Sequence, residues 1–176
     1  MENWKENRRL AAIVLAAAVL LGVFGIGGIK ARGVARAVQE AYAQSIAGDL
    51  ALRAAAAQNI VSVGAAALGE DAPSVAAARR ALEMLVAADG PARACEANTA
   101  LTASVGMLYE EARKAIGDEK GSVLQTQWSE FLSRGDIIDR AAPAYNEQAR
   151  AAQKKLSGFP ASLVSALVRA RAEQFS

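Results

Sequence analysis

Apolar side chains follow two patterns along this chain of 176 residues. From Leu10 to Ile29 they are continuous: the twenty residues LAAIVLAAAVLLGVFGIGGI include no charged or polar side chain. Beyond Lys30 they recur at steps of three and four. At about 1.5 Å of helical rise per residue, the first run spans roughly 30 Å, the thickness of a hydrocarbon core. It predicts a transmembrane helix over 10–29, flanked by Lys5, Arg8 and Arg9 and by Lys30, Arg32 and Arg36. A cleaved signal peptide would have a shorter apolar core and a small-x-small step. Here Gly25, Gly27 and Gly28 lead directly into Lys30, and no Cys follows to carry a lipid. A buried core helix would need equally apolar protein on every side, which the downstream chain does not offer. Flanking cations tie at three on each side, and the clustered Arg8-Arg9 favours an N-terminus inside and the bulk of the chain outside.

The periodic part predicts an all-α fold. Val38, Tyr42, Ile46 and Leu50, then Ala56, Ile60, Val63 and Ala67, give a helix over about Val34 to Leu68. No proline lies between Leu10 and Leu68, so the span and this helix can form one rod, hinged at Gly25, Gly27 and Gly28. Gly69 and Pro73 end one helix and start the next, about Ser74 to Ala88. Gly90-Pro91 opens a third, reaching about Ile116, with Ala94, Asn98, Leu101, Val105, Leu108 and Ala112 on one stripe. The second and third can also be read as one element kinked at Gly90-Pro91. After Gly117–Gly121 comes the strongest periodic signal. Leu124, Trp128, Phe131, Gly135, Ile138, Ala142, Tyr145, Ala149, Ala152 and Leu156 alternate steps of four and three. This narrow seam is of the coiled-coil type. Pro143 falls inside it, and because the seam keeps phase we expect a bend near Asp139–Ala142 and not a helix end. Gly158-Phe159-Pro160 stops that helix. A short amphipathic helix over 161–176 comes last, with Leu163, Val164, Leu167 and Val168 opposite Arg169 and Arg171. It would pack on the bundle or lie on the membrane surface. The expected organisation is a basic tail 1–9, a span 10–29, a long antiparallel bundle 30–160 and a C-terminal helix 161–176.

Composition sharpens this. Setting aside the four cations and two acids up to Lys30 leaves 16 Lys/Arg and 16 Asp/Glu of the chain's 20 and 18, so the bundle is neutral. A neutral domain without a basic stripe speaks against nucleic acid as a partner. The chain has no His, which removes the commonest metal ligand and acid–base group, and with it a Glu-x-x-His di-iron site. Cys95 is the single cysteine, so no intrachain disulfide forms, and beside Glu96 without a base it reads as a small half-buried helix residue. Asp136 and Asp139 share a face, and Arg140, four residues after Asp136, offers a surface ion pair. No catalytic, cofactor or metal site is expected. Tyr145 on the seam and Asn98 on its stripe need polar partners, and we expect Asn98, Tyr145 and Asn146 to form one buried network that sets helix register.

Leu124-Gln125, Tyr145-Asn146, then fourteen residues later Phe159-Pro160, followed by Ala161-Ser162-Leu163-Val164, resemble the C-terminal signature of the LemA family. Asn98 falls where that family has an Asn before a Leu-rich helix. Ala152-Gln153 stands where the family has a second Tyr-Asn, and only Asp49-Leu50 remains of its first-helix motif, so the chain resembles a divergent member. The resemblance implies a single-pass membrane protein with a helical bundle and no established catalytic activity. The expected role is a scaffold or interaction protein at the cell membrane, with an unidentified membrane or envelope protein as partner and self-association open. The alternative is a ligand- or lipid-binding bundle, with room between helices at Gly135 and Ala142.

Overall fold

In the computed structural model, residues 27–117, 122–158 and 161–176 are described, and every regular element among them is a helix. Helix α1 runs from Gly27 to Leu68, 42 residues, with a π-helical stretch at Ala43–Ala47. Within that stretch Ser45 Oγ donates to the carbonyl of Ala41 at 2.6 Å, a local bond of the kind that loosens a helical ladder. Gly69, at φ +97°, ends α1 and donates its N–H back to Ala65 O. A non-glycine residue would be strained there. Ala72 is extended, as a residue before proline prefers, and Pro73 opens α2, Pro73–Val86. Gly90 at φ +146° separates it from α3, Pro91–Ile116, so these are two helices and not one kinked element. Helix α4 spans Ser122–Ser157 and passes through Pro143 without interruption. Its predicted seam is its covered face: Leu124, Phe131, Ile138, Tyr145, Ala149, Ala152 and Leu156 are buried.

The chain divides into two compact units. The larger comprises Glu40–Gln148 with Glu173–Ser176. Its core takes Ile46, Ala57 and Ile60 from α1, Val75 and Ala78 from α2, Leu101, Val105 and Leu108 from α3, and Phe131 and Ile138 from α4, all fully or almost fully buried. Alanine and glycine let the helices approach closely. A β-carbon on Gly64 would stand 2.7 Å from Leu108 Cδ1, inside any real contact, so α1 and α3 meet only because that side chain is absent. The smaller unit comprises Met1–Gln39, described from residue 27, and Ala149–Ala172. There Val164 of α5, Ala161–Leu167, is buried beside Gly27, and Ser165 Oγ donates to Leu156 O at 3.2 Å.

Two expectations change. The first helix begins at least seven residues before Val34, at Gly27, and Gly27 and Gly28 are helical residues in it, with α-helix rather than hinge conformation. The last helix ends at Leu167 instead of continuing to Ser176. Arg169 is left-handed at φ 52°, and Ala170 N donates to Ser165 O at 2.9 Å, the closing bond of a helix end. Only Val164 of the expected apolar face is buried, while Leu163 and Leu167 are 54% and 70% exposed. The basic tail, nearly all of the predicted span 10–29, and Phe159-Pro160 lie outside the described residues. Within them, Gly27–Leu68 is itself long and apolar enough to cross a membrane, with a mean hydropathy of 1.2 over its best stretch, 44% of which is buried inside the protein. An alanine-rich core helix has the same properties.

Candidate functional site

Three polar clusters of the larger unit involve the residues singled out in the sequence or lie deepest in it. The deepest is centred on Arg53, which is only 4% exposed. It occupies an α1 stripe of apolar and small residues, Ile46, Leu50, Arg53, Ala57, Ile60 and Gly64, spaced alternately four and three apart. Its Nη1 donates to Asn98 Oδ1 at 2.7 Å and its Nη2 to Thr102 Oγ1 at 3.0 Å. Thr102 Oγ1 in turn donates to the Asn98 carbonyl at 2.7 Å, tying the two α3 residues together. The guanidinium carbon lies 4.2 Å from the centroid of the Phe131 ring, a cation–π contact from α4. Gly135 supplies the space, since a β-carbon there would come within 3.0 Å of Cζ and Nη2.

This cation has neutral acceptors and no direct carboxylate, and its Nε finds no acceptor among the described residues. Burial pushes the Arg53 pKa down, and the fields of Asp139 and Asp136 oppose that shift. Arg140, expected to pair with the Asp136 carboxylate, instead donates from Nε to the Asp136 backbone carbonyl at 3.1 Å.

From the Arg53 site a ring column continues outward. Phe131 stacks with Trp128 at 5.6 Å between centroids, and Trp128 with Tyr109 at 4.5 Å. Tyr109 Oη donates to Gln125 Oε1 at 2.5 Å. The motif pair Leu124-Gln125 is thus split: Leu124 is core, and Gln125 receives the Tyr109 hydroxyl from α3.

The third place is Tyr145-Asn146. Tyr145 Oη donates to Glu173 O at 2.6 Å. The Asn146 amide takes both main-chain groups of one residue, with Nδ2 donating to Phe175 O at 2.8 Å and Phe175 N donating to Oδ1 at 2.7 Å. The Tyr42 ring lies 5.6 Å from Tyr145 and 6.4 Å from Phe175. Burial, then Tyr42 and Glu173, push the Tyr145 phenol up to about 12. Burial also raises Tyr42 and the Cys95 thiol, so Cys95 is held away from its reactive thiolate form.

One expectation is corrected here. Asn98 bonds to Arg53, whereas Tyr145 and Asn146 bond to the segment 173–175. They form two clusters because the α4 stripe that carries Tyr145 continues well beyond Phe131 and Gly135, which face Arg53. Sequence reading missed Arg53, although its place in an apolar stripe is a usable signal. Among the described residues no three His, Cys, Asp or Glu side chains converge as a metal site would require. The room expected at Gly135 is filled by Arg53, and a shallow depression on α4 lined by Gln125, Gln127, Glu130 and Ser133 is built from one helix alone. Compared with protein-family models, curated proteins and solved structures, the chain matches none.

Proposed function

We propose that the chain is a single-pass membrane protein of the LemA type, whose helical bundle acts by binding other proteins at the membrane. The observation that carries the reading is the uncharged run Leu10–Ile29 between two basic clusters. Such a run is long enough for the hydrocarbon core, and a neutral bundle of this size has no equally apolar surroundings in which to bury it on every side. A scaffold is the role that suits the bundle attached to it. Most inward-facing polar groups among the described residues make helix-to-helix or helix-to-backbone hydrogen bonds, including Ser74 Oγ, which donates to Glu111 Oε2 at 2.5 Å between α2 and α3. A helix of the length of Val34–Leu68 would hold an interaction surface roughly 50 Å along its axis. The LemA assignment rests on Leu124-Gln125, Asn98, Tyr145-Asn146 and Phe159-Pro160 together.

Alkaline extraction of a membrane fraction tests the anchor. The full chain should stay in the pellet, and a variant with Leu15→Arg and Leu20→Arg should move to the supernatant. Release of the unaltered chain by alkali would sink the reading.

A further inference from the structure

The segment Glu173–Phe175 lies in the larger unit as a non-helical strip, seated in a slot formed by Tyr42 of α1, Gly90 before α3 and Tyr145-Asn146 of α4. All three hydrogen bonds that Tyr145 and Asn146 make to it go to main-chain atoms: one from Tyr145 Oη to Glu173 O, and two between the Asn146 amide and Phe175. Such bonds read an extended backbone and not a particular side chain. Side-chain demands are seen at Phe175 and Glu173. The Phe175 ring is 5% exposed and packs beside Tyr42, and the Glu173 carboxylate lies over Gly90, where a β-carbon would stand 2.6 Å from Oε2. Gly90, at φ +146°, therefore serves both the turn into α3 and the room for this carboxylate.

We propose that this slot is a peptide-binding site for an extended segment with an aromatic residue two positions after an acidic one, and that Glu173–Phe175 occupies it in cis as a displaceable strap. The site deepens the interaction reading above by naming the partner's chemistry. The strap lies outside the helices and is attached through side-chain-to-backbone bonds from Tyr145, Asn146 and, one residue earlier, Gln153, so it can open locally without unfolding a helix. Tethering gives it a local concentration of about millimolar order, so a free peptide competes only when the strap is weakened or the peptide is in excess. The Tyr42 ring and the Asn146 amide are then available to the same chemistry in trans.

The test uses the full chain in detergent and a fluorescent peptide with the sequence of residues 168–176. Phe175→Ala, which frees the slot, should bind the peptide saturably and at least tenfold more tightly than the unaltered chain. Adding Asn146→Ala should abolish that binding with the helical circular dichroism unchanged. Equal binding by the freed and unaltered chains, or binding that survives Asn146→Ala, overturns the proposal. So does an unaltered chain that runs as a dimer dissociated by Phe175→Ala, which would mean exchange of the strap between copies. If Phe175→Ala loses its helical signal, amide exchange in the unaltered chain decides. Excess peptide should speed exchange of the Phe175 N–H, and an unchanged rate overturns the proposal. Peptide binding in detergent does not require Leu10–Ile29 to span a bilayer, and alkaline extraction does not require the slot, so the two readings fail separately.

Discussion

Two asparagines in this molecule face inward from helices and do opposite work. Asn98 on α3 accepts from a buried cation on α1, so its hydrogen bond joins two helices of the core. Asn146 on α4 holds both main-chain groups of Phe175, so its bonds attach a non-helical strip to the bundle. Removing the first strands a guanidinium that is 4% exposed, while removing the second releases backbone groups that water can reach once the strip lifts. The contrast separates polar groups that hold the fold from polar groups that hold something exchangeable. Desolvation, more than the number of bonds, decides which is which.

The largest expected effect breaks the first member of the pair. Asn98→Ala leaves Arg53 with Thr102 alone and should cost about 3 kcal/mol in denaturant unfolding, because an uncompensated buried charge is worth more than the bond it lost. Replacing both partners, Arg53→Met with Asn98→Leu, should restore most of that loss. A double variant as unstable as the sum of the singles would contradict the cluster.

Gly135→Ala comes next. Helix propensity alone favours it by about 1 kcal/mol. The new β-carbon, however, would sit 3.0 Å from a guanidinium pinned by Asn98, Thr102 and Phe131, and crowding of that kind costs about 1–3 kcal/mol. A net loss is expected, and a gain in melting temperature would mean that Arg53 moves freely.

On the other side of the comparison, pH is the probe. Tyr145 is raised from an ordinary value of 10.0 to about 12. The folded state therefore holds the proton more tightly than the unfolded chain does. Its contribution is complete below pH 10, and it is lost as the pH rises toward 12. The ionised phenol also cannot donate to Glu173 O. Melts across that window should fall more steeply for the natural chain than for Tyr145→Phe, with Tyr42 supplying what slope is left. Parallel curves would show that the phenol is not held as described.

The smallest effect calibrates the others. Arg93 and Asp89 form an ion pair at 2.8 Å with side chains 72% and 73% exposed, so Arg93→Ala should change stability by no more than about 0.5 kcal/mol.

Legibility in the sequence divides along the same line. The breaks at Gly69, Gly90-Pro91 and Gly117 are local chemistry, glycines at positive φ and prolines at helix starts, and they stand where the residues put them. The α4 seam is equally legible, since a single helix determines which of its residues share a face. Arg53 is legible only in part: its place in an apolar stripe marks it, but arginine is ordinarily solvated, and only a partner helix with Asn98 and a glycine at 135 makes its burial tolerable. The merger of Asn98 with Tyr145 fails for a related reason: periodicity gives each helix its inward face but not the axial offset between helices. Apolar spacing predicts helix over the strip 168–176 as well. Its backbone is instead claimed by Tyr145, Asn146 and Gln153, and no local rule anticipates such bonds.

The most direct test of the central claim, a bundle tethered outside the membrane by Leu10–Ile29, is protease accessibility of an epitope tag placed after Ser176. In intact cells or spheroplasts the tag should be cleaved without lysis. Protection until the cells are lysed would contradict the account by placing the bundle, and whatever peptide it binds, on the cytoplasmic side.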